Sequence, residues 1–345
     1  MEGLLVTHLP NVRYLCGFTG SSGVLLLTEE RSVFFSDGRY IAQAKEEVRN
    51  ARVVIGRKAA LVSAAEWLVA LRAARRRGFV VGIEGEYFTV AARARLAKML
   101  GLGFRVKATS ALVEQMRMVK DSDEIKLIRA AVQMGAGLFD ITVNRIRAGV
   151  RERDVATELE YDARESGAEQ MSFQTIIASG ERSALPHGVA SAAKIPAKGF
   201  VVCDFGVILA GYCSDMTRTV HVGQPGREAR RAYEAVREAQ QAAINAVKPG
   251  ATVGKVDDAA RKVLRRHNLA KYFTHSTGHG VGLEIHEAPR IAAGQTEVLQ
   301  PGMVITIEPG VYIPRMWGIR IEDMVLVTET GCEVLTPTTK ELITI

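Results

Sequence analysis

The sequence predicts an α+β protein of two domains, and three features of the chain lead to this prediction. The chain has 345 residues, 47% of them hydrophobic and 24% charged, which is enough for a substantial core and for about two domains. Up to Thr109, short apolar runs alternate with helical stretches, which indicates an α/β domain. Beyond it, the order helix, helix, strands occurs twice, which indicates an internally duplicated α+β domain.

The N-terminal domain is predicted to span residues 1–115. Its apolar runs predict strands, and the periodic stretches between them predict helices. The predicted strands are Gly23–Thr28, Ser32–Phe35, Phe79–Ile83 and Leu102–Thr109. The predicted helices are Ala64–Arg77 and Tyr87–Leu100.

The second domain is predicted to span residues 116–345. It opens with a long helix from Asp121, where Glu124 can cap back onto the helix start. Further helices are expected at Arg153–Ser166, Arg227–Val247 and Val253–His267. The strand-rich stretches are Ser172–Gly188, Phe200–Val222 and Phe273–Ile345.

Composition argues against secretion, membrane insertion and nucleic-acid binding. Lys and Arg number 45 against 38 Asp and Glu, a net charge of +7, but the basic residues are scattered along helices, as in Arg72–Arg77, without a nucleic-acid motif. No segment approaches the roughly 20 apolar residues that span a bilayer, and the start lacks a signal-like run. Four cysteines are too sparse for a disulfide framework. We therefore expect a reduced, cytoplasmic protein.

Asp204 and Asp215 lie in neighbouring apolar strand patterns. A two-residue turn on Leu209-Ala210 would place them opposite each other, and a turn on Ala210-Gly211 would make them diagonal neighbours on one face. A three-residue loop would put them on opposite faces. Two carboxylates on one face of an apolar sheet repel, so they need protons, cations or a metal. The alternative is a solvated hairpin face, or an ion pair of Asp215 with Arg218.

Glu308 and Glu322 are each embedded in a β-branched apolar strand pattern. A buried glutamate that stays ionised costs several kcal/mol, so such a position requires a partner. The alternative is a salt bridge between Arg320 and Glu322 on an exposed strand face.

The seven histidines differ in their sequence context. Three of them stand alone and are expected to be surface or packing residues: His8, His221 and His267. Four others lie in glycine-flanked segments that suit close approach of a ligand: His187, His275, His279 and His286.

Taken in order, Asp-x10-Asp, Gly-His-Gly, Glu-Pro-Gly and Arg-Ile-Glu-Asp resemble the M24 metallopeptidases of the creatinase or pita-bread fold, particularly bacterial Xaa-Pro aminopeptidases and prolidases. Asn11–Gly23 and Asp37–Tyr40 resemble that family's N-terminal domain, and Ala178–Gly188 resembles its substrate-binding strand. The resemblance implies a pita-bread catalytic domain preceded by a creatinase-like α/β domain. Family members usually have a helix before the strand at Leu4–Val6, so a trimmed N-terminal domain or a misassigned start is expected.

The resemblance also implies two divalent metal ions per chain, held by Asp204, Asp215, His279, Glu308 and Glu322. Asp215 and Glu322 would bridge the ions. The oxygen-rich ligand set favours Mn²⁺, with Co²⁺ or Zn²⁺ as alternatives. Glu308 would be the general base, with His187 and His286 as further catalytic residues. One of the three histidines of the substrate cleft, His187, His275 or His286, would donate to the oxyanion. The implied substrate-binding residues are His187, His275, His286 and Arg320.

The implied function is removal of the N-terminal residue from peptides with proline at the second position, by a homodimeric Xaa-Pro aminopeptidase. The alternative is a prolidase, which cleaves only Xaa-Pro dipeptides. A remote alternative is a metal-free binding protein or a creatinase-like enzyme. Such relatives characteristically lose metal ligands, whereas all five are present here. No sequence pattern independently indicates proline specificity.

Overall fold

The structure is a computed structural model that describes residues 1–75 and 78–345. Arg76 and Arg77, which end the helix predicted at Ala64–Arg77 and the basic run, lie outside the described residues. The chain divides into two compact units, Met1–Arg117 and Met118–Ile345.

The first unit is a six-stranded mixed sheet with helices on both faces. Its strands are β1 (Gly3–Val6), β2 (Val24–Thr28), β3 (Ser32–Asp37), β4 (Arg52–Gly56), β5 (Phe79–Glu84) and β6 (Phe104–Thr109). Its helices are α1 (Leu9–Cys16), α2 (Ile41–Glu47), α3 (Ala60–Arg75) and α4 (Val90–Leu100), and α5 (Leu112–Met118) follows. The strand order is β4-β3-β2-β1-β5-β6, with β1, β5 and β6 parallel to one another.

Alternation along the strands supplies a core on each face of this sheet. Leu26 and Phe35 lie in one buried cluster, and their chain neighbours Leu25 and Phe34 lie in the other. Because successive side chains of a strand point to opposite faces, both faces must be covered. The α/β character predicted for this part of the chain is confirmed.

The second unit contains two helix pairs and several antiparallel sheets. Its helices are α6 (Ser122–Thr142), α7 (Glu152–Glu165), α8 (Arg227–Ala246) and α9 (Val253–Arg266). Its first strands are β7 (Gln170–Met171), β8 (Ile176–Ser179), β9 (Gly199–Phe205), β10 (Val207–Leu209), β11 (Tyr212–Cys213) and β12 (Met216–Val222). The later strands are β13 (Gly278–Gly280), β14 (Glu287–Ile291), β15 (Val304–Ile307), β16 (Gly310–Ile313), β17 (Trp317–Arg320), β18 (Asp323–Val327) and β19 (Cys332–Val334).

Each helix pair packs on its own strands. Apolar side chains of α6 and α7 share one buried cluster with β8, β9 and β12, whereas those of α8 and α9 share another with β15 to β18. The strand orders are β12-β9-β8 and β14-β13-β15-β18-β19, and β16 and β17 form a separate hairpin. This repeated helix-pair-on-sheet arrangement confirms the predicted α+β class. No helix in the part of the chain that the structure describes is long and apolar enough to cross a membrane.

Helix starts follow local capping chemistry. Asp121 accepts hydrogen bonds from the backbone N–H groups of Asp123 and Glu124, and the Glu124 carboxylate accepts one from the Asp121 N–H, which is the predicted capping arrangement. Helix α4 begins at Val90 rather than at Tyr87, because the Thr89 hydroxyl accepts a hydrogen bond from the Ala92 N–H and caps the helix there.

Candidate metal and peptide-binding site

The turn between β10 and β11 sets the register of the two aspartates. It lies on Ala210-Gly211, whose φ angles are +48° and +82°. Asp204 therefore pairs with Thr217, two residues beyond Asp215, which is the diagonal arrangement among the alternatives that the sequence left open. A turn on Leu209-Ala210 would place a leucine in the left-handed region, whereas Ala210-Gly211 uses the glycine.

The three remaining predicted ligands lie within a strand or directly beside one. His279 is the central residue of β13, Glu308 directly follows β15, and Glu322 directly precedes β18. The Glu308 N–H donates to the Thr277 carbonyl at 2.7 Å, and the Glu322 N–H donates to the Thr217 carbonyl at 3.1 Å. These backbone bonds fix the points at which both glutamate side chains leave the sheet.

One cavity of about 760 Å³ is lined by every site residue that the sequence predicted. Within it, His279 Nε2 lies 3.6 Å from Asp215 Oδ2 and 3.7 Å from Glu308 Oε1. Asp215, His279 and Glu322 each offer a ligand atom within 4.8 Å of the others, so they could hold a metal ion. Asp204 contributes a buried Oδ1 atom that has no hydrogen-bond partner among the described residues.

The electrostatics of the cavity fit a divalent cation. Burial, with Glu322 and Asp204 nearby, raises the pKa of Asp215 well above its usual range, and burial with Glu308 nearby does the same to the pKa of Glu322. Burial raises the pKa of Glu308 to about 8. Burial also lowers the pKa of His279 to about 4, which keeps its imidazole neutral, as metal binding requires. Clustered carboxylates and a neutral imidazole are the donor set that a divalent ion would stabilise.

Arg320 is a buried cation whose donors are directed at protein acceptors. Its guanidinium donates to Asp204 Oδ2 and the Tyr312 hydroxyl, to the Pro186 carbonyl at 3.1 Å, and through Nε to Thr217 Oγ1 at 3.1 Å. The ion pair of Arg320 is thus with Asp204 instead of Glu322. Arg218, the alternative partner considered for Asp215, pairs instead with Asp323 at 2.7 Å.

Two neighbours of the predicted site were not identified from the sequence. Thr217 donates its hydroxyl to Glu322 Oε2 at 2.7 Å, and the Tyr312 hydroxyl lies 2.9 Å from His275 Nε2. Thr217 follows Asp215 by two residues in the same strand pattern, so alternation offered a signal for it. Tyr312 has no such signal, because its contacts depend on how the β16–β17 hairpin packs.

The predicted histidines separate in the structure as their sequence contexts indicate. His187, His275, His279 and His286 line the cavity, and the His279 and His286 rings lie 4.5 Å apart. His221 is buried with Nδ1 2.7 Å from the Gly223 carbonyl, His267 contacts Glu238 at the surface, and His8 stacks on Tyr87. Only the first group reaches the cavity among the described residues.

Comparisons with known proteins identify the class to which this fold and cavity belong. A creatinase/prolidase N-terminal domain model matches residues 1–119, and the model of metallopeptidase family M24 matches residues 126–329. The chain therefore belongs to metallopeptidase family M24, as the sequence motifs implied, and it is an enzyme of the pita-bread fold. Members of such a family use divalent metal ions.

Individual relatives cover nearly the whole chain. An Xaa-Pro dipeptidase of Pyrococcus horikoshii is 38% identical over 344 residues, which cover 99% of this chain and 95% of the relative. The solved Xaa-Pro dipeptidase of Bacillus anthracis is 40% identical, with a TM-score of 0.94 and coverage of 100% of this chain and 95% of that one. The solved X-Pro aminopeptidase of Thermotoga maritima is 35% identical, with a TM-score of 0.92 and coverage of 100% of this chain and 98% of that one.

Proposed function

We propose that this enzyme is an Xaa-Pro dipeptidase, which hydrolyses the peptide bond before a C-terminal proline. The observation that carries the proposal is the similarity to Xaa-Pro dipeptidases over almost the full length of the chain. This similarity favours a prolidase over the Xaa-Pro aminopeptidase that the sequence motifs imply. The aminopeptidase remains the second candidate because the Thermotoga maritima enzyme is also similar.

Arg290 supplies a physical reason for short substrates. It lies opposite His279 in the β13–β14 pairing, is exposed and lines the cavity. Within the described ranges its side chain makes no hydrogen bond or ion pair, whereas Arg320 is held by protein acceptors. A dipeptide ends one residue beyond the scissile bond, so its C-terminal carboxylate needs a cation close to the reacting atoms. The Arg290 guanidinium provides that cation and can bind the carboxylate in a bidentate manner.

The metal-binding set of the proposal is Asp204, Asp215, His279, Glu308 and Glu322. It is supported by the Asp215, His279 and Glu322 cluster, by the position of Glu308 beside His279 and by the unpaired Asp204 oxygen. Two divalent ions bound there would polarise the scissile carbonyl and acidify the attacking water. The oxygen-rich set favours Mn²⁺, with Co²⁺ and Zn²⁺ as alternatives.

Side chains of the cavity would also transfer protons, stabilise the oxyanion and contact the proline ring. Glu308 takes the proton of the attacking water, and it can return a proton to the leaving proline nitrogen. His187 and His286 donate hydrogen bonds to the substrate oxygen that becomes negative. His275 is oriented by the Ser276 carbonyl at 2.8 Å and by the Tyr312 hydroxyl. The proline ring can pack on Phe173, Pro186 and Val189, which line the same cavity.

The test is hydrolysis of Ala-Pro, Ala-Pro-amide and Arg-Pro-Pro by Mn²⁺-loaded protein. We expect fast cleavage of Ala-Pro and little cleavage of the other two, because neither places a carboxylate next to the proline ring at Arg290. Comparable turnover of Arg-Pro-Pro would favour the aminopeptidase.

The Arg290→Met variant tests the carboxylate contact itself. It should lower kcat/KM for Ala-Pro by about 10- to 100-fold, the value of one charge-assisted hydrogen-bonded pair, and should leave Ala-Pro-amide unchanged. Arg265→Met, on the outer surface of α9, is the matched control and should behave as wild type. Equal losses on both substrates would contradict the role of Arg290.

A further inference from the structure

We propose that Glu152 is a positioning residue that fixes the loop carrying His187, an inference that rests on the proposed function. The His187 loop is defined here as residues Ser179–Ser191. Glu152 is the first residue of α7 and its side chain is fully buried. It touches none of the predicted ligands, and the catalytic steps above do not use it.

One carboxylate holds both ends of this loop. Glu152 Oε1 accepts from the Ser179 N–H at 2.8 Å and the Ser179 hydroxyl at 2.9 Å. Glu152 Oε2 accepts from the Ser191 N–H at 3.1 Å, the Ser191 hydroxyl at 2.7 Å and Arg182 Nε at 2.9 Å. The first and last residues of the loop, together with Arg182 inside it, are therefore tied to one side chain.

The segment between these anchors carries the cavity wall. Pro186, His187 and Val189 line the cavity, and after a 3₁₀ turn at Gly180–Ala184 the loop has no helix or strand of its own. Fixing both ends on one point removes much of the conformational freedom that such a segment would otherwise have. His187 is then held at the cavity without paying that entropy when substrate binds.

The loop is also linked to the buried cation beside the metal-binding set. Arg182 Nη2 donates to the Val189 carbonyl at 2.8 Å, a hydrogen bond that joins two residues within the loop. The Pro186 carbonyl accepts from Arg320, the guanidinium that pairs with Asp204. A shift of the loop would therefore move His187 and remove an acceptor from Arg320.

Only a carboxylate satisfies this set of donors. Five donor groups converge on two oxygens, and a glutamine would direct its NH₂ at N–H and guanidinium donors. The buried negative charge is compensated by Arg182 and by the helix start at which Glu152 lies. A role limited to helix stability would need only the position of Glu152 at the helix start, and not the ion pair with Arg182.

The experiment compares Glu152→Gln with wild type in two arms. In the first, amide hydrogen exchange is measured on metal-free protein, which requires no turnover. We expect exchange in the His187 loop to rise at least tenfold, with α8 unchanged. The matched control is Glu228→Gln, an exposed acid in the first turn of α8, which should leave the loop as in wild type.

The second arm is a kinetic double-mutant cycle with His187→Ala on Ala-Pro. We expect Glu152→Gln to lower kcat at least tenfold with metal content unchanged, and to add little further loss in the His187→Ala background. Multiplicative losses, or loop exchange equal to wild type, would overturn the proposal. If wild type does not cleave Ala-Pro, the dipeptidase proposal fails, while the exchange arm still decides the role of Glu152.

Should Glu152→Gln not fold, Ser191→Ala gives a milder test, because it removes one of the donors to Glu152 and leaves the carboxylate in place. It should raise exchange at the C-terminal end of the loop and lower kcat in the same direction by a smaller factor. Wild-type exchange and kcat in Ser191→Ala would overturn the tie at that end.

Discussion

The two carboxylate oxygens of Asp204 have different surroundings. Its Oδ2 atom accepts from Arg320, and its buried Oδ1 atom has no hydrogen-bond partner in the described part of the chain. A buried carboxylate oxygen without a partner is costly, so a cation bound at the proposed site would explain why the position is tolerated. At the scale of single residues, this atom is the clearest physical sign of the proposed metal site.

Asp204→Asn should therefore lower the metal affinity and the rate of hydrolysis, each by at least about 100-fold, because a neutral amide replaces a charged ligand. Metal content after dialysis and Ala-Pro turnover are the measurements. Asp140→Asn, at an exposed position of α6, is the matched control and should retain both. Full activity of Asp204→Asn would refute the proposed ligand set.

His286→Ala should separate chemistry from metal binding. The His286 ring lies beside His279 and lines the cavity, but it is outside the proposed ligand set. Because the variant lacks one oxyanion donor, we expect kcat for Ala-Pro to fall by about 100- to 1000-fold, with metal content unchanged. Loss of metal in this variant would mean that His286 is itself a ligand.

The candidate site residues that line the cavity have signals in local sequence, and their catalytic and metal-binding roles stay predictions. Buried acids in apolar strand patterns and glycine-flanked histidines identify candidates, and the family motifs select among them. Arg290 and Tyr312 could not be identified in this way, and for Thr217 the alternation with Asp215 indicates a shared face but not the contact with Glu322. Their roles depend on strand pairing and on side chains from distant segments, such as Thr217 with Glu322 and Tyr312 with His275.

At the scale of elements, close approach of backbones shapes the hairpin that carries both aspartates. A Cβ atom at Gly206 would lie 1.8 Å from the Ser214 carbonyl oxygen, a distance that forces the two strands apart. Gly206→Ala should therefore cost about 1–3 kcal/mol of unfolding free energy or more, and should weaken metal binding because Asp204 and Asp215 separate. Urea unfolding and metal titration are the measurements.

Gly137→Ala is the matched control for this prediction. Gly137 lies within α6, and an added Cβ there meets nothing within 4 Å. Alanine should be neutral or stabilising by roughly 0.5–1 kcal/mol, as expected in a helix interior. If Gly206→Ala were as stable as Gly137→Ala, the close strand approach at Gly206 would be contradicted.

Long periodic elements were predictable, and short ones were not. The helix after Asp121 carries its own capping signal, and the strands of the first unit carry apolar runs. Helices α1 and α2 were missed because each is short and is stabilised by packing on the sheet, which propensity does not encode. The aspartate register stayed open because two turn positions keep both side chains on one face, and the requirement for positive φ decided between them.

At the scale of the whole molecule, the family and the two-part architecture followed from motifs spread along the chain, and both family models match. The homodimer, the cytoplasmic location and the preference for Mn²⁺ stay predictions. They depend on surfaces, compartments and ion availability, none of which is encoded in the spacing of residues within one chain.

Acid should destabilise the folded molecule through His275. Burial, with Arg320 nearby, lowers its pKa to about 4, so between about pH 4 and pH 6.5 the unfolded chain binds a proton that the folded chain does not. The unfolding free energy therefore rises with pH across this window, and His275 accounts for roughly 2–3 kcal/mol of that rise. In metal-free protein, urea unfolding between pH 4 and pH 7 should give a shallower pH dependence for His275→Gln than for wild type. Parallel curves would show that His275 binds protons equally in both states, contrary to its burial.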